Sequence, residues 1–121
     1  MKPGNVILTP LPQADGAVKN RPAVILCDLP PFGDFLVCGV STQLRRYAPG
    51  FDEIIAPSDA DFSQSGLLTT SVIRLGFLAI LARKDVIGAI GAISEERHRH
   101  LVTTLARHLL ASQLPPSTTW R

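Results

Sequence analysis

Lys19-Asn20-Arg21-Pro22-Ala23-Val24-Ile25-Leu26 is the stretch on which the fold turns. Its second half is a near-continuous apolar run, the mark of a strand covered on both faces. Pro22 has no ladder donor and is placed at the strand's first position, so Arg21 reads as the last turn residue before it. A second apolar strand, Phe35-Leu36-Val37-Cys38-Gly39-Val40, ends in the polar tip Ser41-Thr42-Gln43. If the two strands are neighbours, their ends bring a fixed cation and a hydroxyl to one place, an arrangement suited to phosphate.

Working outward, Val6-Ile7-Leu8 reads as a short strand closed by Pro10-Leu11-Pro12. Gln13 to Asn20 is a polar turn in which Asp15-Gly16 signals a hairpin. Asp52 to Ala56 reads as a short edge strand, and Pro57 to Gln64 as a polar stretch with a helical turn around Asp59-Ala60-Asp61-Phe62. Leu67 to Arg74 and Phe77 to Leu81 read as two buried strands separated by Gly76. Ile87 to Ile93, with Gly88 and Gly91, is a loop or a short strand. Ser94 is placed as a helix N-cap, with Glu95 and Glu96 at the positive end of the helix. Leu101, Val102, Leu105, Ala106, Leu109 and Leu110 recur at helical spacing as one apolar stripe, and the helix is expected to end near Gln113. The expected architecture is mainly β, five to seven short strands followed by one packed C-terminal helix. It forms a single domain over residues 1–114, with a loose tail over 115–121.

The bulk numbers fit one globular domain: 121 residues, 45% apolar and 18% charged, which excludes a disordered chain. Ten prolines and nine glycines favour many turns and short strands. The net charge is only +2, but nine of the twelve basic residues are arginines. That bias favours an anionic partner through the planar guanidinium fork, and a mildly basic ordinary surface stays equally open. Cys27 and Cys38 fall inside apolar strands and read as two reduced, buried thiols. No signal peptide is recognised at the start. The run from Val72 to Leu81 is broken by Arg74 and is far short of the about 20 residues of a membrane span. These features read as a soluble, cytoplasmic protein.

His98, His100 and His108 contain no i, i+4 pair on their helix, so they read as surface or packing residues and no metal is expected. Asp59 and Asp61 read as a solvated turn. Gly88-Ala89-Ile90-Gly91 lacks the Lys-Ser/Thr of a phosphate loop and reads as a turn.

Four features, in this order, resemble the PemK/MazF family of toxins. They are Lys2-Pro3-Gly4-Asn5-Val6, Arg21-Pro22-Ala23-Val24-Ile25-Leu26, Cys38-Gly39-Val40-Ser41-Thr42-Gln43, and Ser71-Val72-Ile73-Arg74 followed by the closing helix. The resemblance spans about residues 2–112. It implies a small, strongly curved sheet related to SH3-like barrels, with a helix packed on it. It also implies a homodimer, an acidic antitoxin as partner, and metal-independent, cofactor-free cleavage of single-stranded RNA to a 2′,3′-cyclic phosphate and a 5′-hydroxyl. Arg21 matches the family's catalytic arginine, with a solvated turn arginine as the alternative. Ser41 matches its catalytic hydroxyl, with a strand-end serine that satisfies a backbone group as the alternative. Arg74 matches a basic residue used near the scissile phosphate by some members; within its apolar run it serves either that role or an ion pair. Lys19, Thr42 and Gln43 are the candidate substrate-binding residues, with a solvated lysine and ordinary strand-end and loop residues as the alternatives.

The chain departs from the family where many members carry Asp-Gln, close to Asp-Gln-Ile-Arg. Here Gly76-Phe77-Leu78-Ala79 stands instead. No carboxylate is available there as a base, which leaves open a catalytically weak or inactive member that binds RNA or antitoxin. A toxin of the same fold class acting on a protein is a further alternative.

Overall fold

The computed structural model describes residues 1–12 and 14–113. The tail expected over 115–121 lies outside them. The two decisive apolar runs become β2 (Val18–Leu29) and β3 (Asp34–Ser41), at the centre of a six-stranded antiparallel sheet. Around them stand β1 (Asn5–Pro12), β4 (Glu53–Ile55), β5 (Ser71–Leu81) and β6 (Gly88–Ala92), in the order β4-β5-β3-β2-β1-β6. A short helix α1 (Phe62–Ser65) precedes β5, and α2 (Glu95–Ala111) closes the fold. The sheet curls into a half-barrel, as expected for a mainly β chain of this pattern.

Apolar side chains pack on both faces of β2 and β3, so Ala23, Val24, Ile25 and Leu26 are all buried. One cluster joins Val24, Cys38, Ile73 and Leu75 to Leu101 and Leu105 of α2. The other gathers Ile7, Ala23, Ile25, Phe35 and Val37 on the opposite face. Burial pushes the Cys38 thiol up to about 12, so it is an inert core group. Cys27 is only partly buried, contrary to the expectation of two buried thiols.

Three local expectations change. Arg21 is not in a turn: β2 begins at Val18 and sets Arg21 opposite Thr9 of β1. Pro22 sits within the strand opposite Leu8, and β3 first pairs at Ala23, so β2 has one neighbour at the proline and needs no donor on the other side. Leu67–Arg74 and Phe77–Leu81 are not two strands. β5 is continuous, with an irregularity in which Gly39 pairs Arg74 while Cys38 pairs Leu78. Leu75, Gly76 and Phe77 are thereby bulged out of the ladder, and the bulge bends the sheet. Ile87–Ile93 resolves into β6 at the sheet edge beside β1. Gly91 is required there, because a Cβ would lie 2.3 Å from the Gln64 carbonyl oxygen of α1.

The helix cap forms as expected: the Ser94 side chain accepts from the Arg97 N–H at 3.1 Å. The apolar stripe is buried only at Leu101 and Leu105, whereas Val102, Leu109 and Leu110 are exposed. Asp59 and Asp61 are not a solvated turn. Arg97, on the inner side of α2, donates to Asp61 at 2.8 and 3.1 Å, to Glu53 at 3.0 Å and to Asp59 at 3.2 Å. This clamp ties α2 to β4 and to the segment before α1. Burial pulls the Asp61 carboxyl upward, but the hydrogen bonds from Arg97 and the Ser94 N–H, with the Arg97 charge, hold it below the usual carboxylate range. Burial likewise opposes the Arg97 charge, and Asp61, Glu53 and Asp59 together hold it above its ordinary value.

Candidate functional site

β2, β3 and β5 place one concave site on the sheet, and its position follows from strand register. The last pair between β2 and β3 is Ala23 with Gly39, and Arg21 and Ser41 each lie two residues beyond it, on adjoining strand ends. On the other side of β3, Gly39 pairs Arg74. Arg21, Ser41 and Arg74, brought together from three strands, line a single cavity of about 470 Å³. Gln43 lines it as well. Lys19 and Thr42 are exposed and do not contribute to its wall among the described residues.

The loop after β3 adds a cation that sequence reasoning missed. Leu44–Arg46 makes one 3-10 turn, which carries Arg46 back over the strand end. There its Nε donates to the Gln43 side-chain oxygen at 2.7 Å, and Arg46 joins the cavity wall. The signal was a glutamine three residues before an arginine, the spacing that meets in a 3-10 turn. Gln43 therefore acts as a brace for a guanidinium, with Arg45 also donating to the same oxygen at 3.4 Å.

Phe77 is the second residue missed. Its ring lines the cavity and lies against Gly39, so close that a Cβ on Gly39 would stand 3.1 Å from the ring. The Arg74 guanidinium carbon is 6.0 Å from the ring centroid. Strict alternation would have sent Arg74 and Phe77 to opposite faces; the bulge between them brings both to one. Asp52 holds that bulge in place: its carboxylate accepts from the Leu75 N–H at 3.0 Å and from the Ala48 N–H at 3.0 Å. It thus fixes the loop after β3 against the bulged part of β5.

The electrostatics favour an anion. Three arginines line the cavity and no carboxylate or histidine does, among the described residues. The Arg74 Nε is buried and has no hydrogen-bond partner, and no ion pair engages Arg74 among the described residues. The ion-pair alternative for this residue is thus set aside. An unpaired buried donor on a cation is costly unless an acceptor meets it. Ser41 Oγ accepts from the Gln43 N–H at 3.0 Å, which fixes the side chain and leaves its own proton free to donate.

The histidines of α2 hold structural positions. His98 Nε2 is 2.8 Å from the Leu26 carbonyl oxygen, His100 meets Glu53, and the His108 ring stacks at a tilt on Phe51. No cluster of three potential metal ligands occurs among the described residues. No helix among them is long and apolar enough to cross a membrane. The family model described as PemK-like, MazF-like toxin of type II toxin-antitoxin system matches residues 2–109. Among curated proteins, none matches the chain.

Proposed function

The chain belongs to the PemK-like, MazF-like toxins of type II toxin-antitoxin systems, with an antitoxin as the implied partner, and we propose that it is a metal-independent endoribonuclease. It cuts single-stranded RNA to a 2′,3′-cyclic phosphate and a 5′-hydroxyl. The observation that carries this reading is the unpartnered buried Nε of Arg74 in a cavity shared with Arg21, Arg46 and Ser41, with no carboxylate in its wall among the described residues.

In the reaction, the ribose 2′-oxygen bonds to phosphorus and the bond from phosphorus to the 5′-oxygen breaks. The pentavalent intermediate adds negative charge on the non-bridging oxygens. Arg21 and Arg74, approaching from β2 and β5, direct guanidinium donors at those oxygens, and Ser41 adds a hydroxyl donor from β3. Arg46, held by Gln43, adds affinity for the neighbouring phosphate. Among the described residues the cavity wall offers no carboxylate or histidine, so the 2′-proton passes to hydroxide and the 5′-oxygen is reprotonated by water. The arginines supply the catalysis by charge stabilisation. An acidic antitoxin would block the site by setting carboxylates on the same three cations, and a homodimer would extend the groove for RNA.

That no carboxylate or histidine lines the wall among the described residues favours one second reading, a module of the same fold that binds RNA or antitoxin without cutting. Induction in bacteria with growth and RNA integrity followed together separates the readings. Growth arrest with fragmented RNA supports the nuclease, and arrest with intact RNA points to a protein target. Unimpaired growth with intact RNA supports the binding module.

A further inference from the structure

We propose that Phe77 is a stacking platform for a nucleobase beside the scissile phosphate, so that this site grips RNA by a base face as well as by phosphate; the inference rests on the nuclease reading above. The bulge in β5 is the first ground. It turns Phe77 out of the ladder and onto the cavity wall beside Arg74 instead of leaving it on the opposite face. The second ground is Gly39, whose lack of a side chain lets the ring pack close against the strand, where a Cβ would stand 3.1 Å from it. The ring lines the polar cavity with the Arg74 guanidinium over it, its carbon 6.0 Å from the centroid. A base that reaches this ring therefore meets a π-face and a cation together, and every base has a face to match.

The polar inventory of the wall supports the same conclusion. The side-chain oxygen of Gln43 is committed to Arg46. Among the described residues, the other polar side chains in the wall are three guanidinium groups, which only donate, and the Ser41 hydroxyl, whose oxygen already accepts from the Gln43 N–H. Reading a base edge needs both donors and acceptors in fixed places. A wall rich in donors and poor in acceptors binds phosphate well and reads edges poorly, so the aromatic face becomes its main hold on a base. Selection at that nucleotide is consequently loose, because stacking tolerates all four bases.

The test compares wild type with Phe77→Leu and Phe77→Tyr on single-stranded RNA of mixed sequence. Binding, cleavage and thermal melting are measured for each. A matched RNA with an abasic residue next to the mapped cut, or at successive positions if no cut is found, is run alongside. The platform predicts that Phe77→Leu weakens RNA binding about tenfold, with a small change in kcat, while Phe77→Tyr keeps wild-type affinity. It also predicts that one abasic position costs wild type a similar factor and costs Phe77→Leu nothing further. Equal binding and cutting by all three proteins overturns the platform and leaves the nuclease reading standing. Wild type that binds RNA uncut, with the loss in Phe77→Leu, sinks the nuclease and supports the platform. Neither binding nor cutting overturns both. Should Phe77→Leu melt at a much lower temperature, the abasic RNA on wild type decides: unchanged affinity at every position overturns the platform.

Discussion

Arg74 and Phe77, three residues apart on β5, line the same cavity, with the guanidinium carbon 6.0 Å from the ring centroid. An unbroken strand would hold them on opposite faces. The bulge over Leu75–Phe77 reverses that, and Gly39 leaves room for the ring. Gly39→Ala would place a methyl 3.1 Å from the Phe77 ring and force it to move. The partly buried ring lines a cavity into which it can give, so the expected cost lies at the low end of overpacking, about 1 kcal/mol or less, read as a slightly lower melting temperature with weaker RNA binding. In the Gly39→Ala, Phe77→Leu double variant the melting temperature should recover part of that loss; purely additive losses would show that the two residues do not press on each other.

Asp52 is expected to govern the site from outside it. Its carboxylate accepts from Leu75 in the bulge and from Ala48 in the loop. Asp52→Ala leaves the bulged N–H of Leu75 without its partner, at about 1–3 kcal/mol in denaturant unfolding. RNA cleavage should fall further than stability, because both Arg74 and the arginine-bearing loop lose their anchor. Cleavage unchanged in folded Asp52→Ala would show that the bulge holds its shape without it.

Acid should loosen α2 through Asp61. Its carboxyl is held below the ordinary carboxylate range in the folded protein, so the unfolded chain takes up the proton first as pH falls. The contribution is fully present above about pH 4, the ordinary carboxylate value, and is lost progressively below it as the folded group protonates. Melting temperature measured from pH 7 to pH 2 should drop below about pH 4 in wild type, and less steeply in Asp61→Asn. Equal steepness would mean that the Arg97 clamp adds no acid sensitivity.

Much of this was legible in the chain because it is local. Apolar runs located β2 and β3, Ser94 announced the helix, and the order of Arg21, Ser41 and Arg74 marked one site. What escaped depends on partners distant in sequence. The bulge at Phe77 exists only against β3, so alternation within β5 could not reveal it. Arg97 sits 36 positions from Asp61 and 44 from Glu53, and nothing near it in the chain announces a clamp. The helical stripe located the helix, yet only Leu101 and Leu105 of it are buried and Leu109 and Leu110 stay exposed, because burial depends on what packs against the helix and not on its period. Gln43 looked like an ordinary loop residue until the 3-10 turn folded Arg46 onto it.

The reaction should have an unusual pH profile for a nuclease. With no carboxylate or histidine in the described wall, removal of the 2′-proton falls to hydroxide. The rate constant should then rise steadily, about tenfold per pH unit, between pH 6 and pH 9, with no bell shape. A bell-shaped profile would reveal a titrating acid and base beyond the described residues of the cavity wall.

The central claim is that Arg21 and Arg74 stabilise the charge of RNA cleavage in this cavity. The most direct measurement incubates purified protein with mixed-sequence RNA in the presence of a chelator and maps both new ends, alongside Arg21→Ala. The account predicts 2′,3′-cyclic phosphate and 5′-hydroxyl ends from wild type. It predicts a rate at least about a hundredfold lower from the variant, the scale of losing one charge-stabilising donor. RNA left whole at large protein excess, or cut equally by Arg21→Ala, would contradict it.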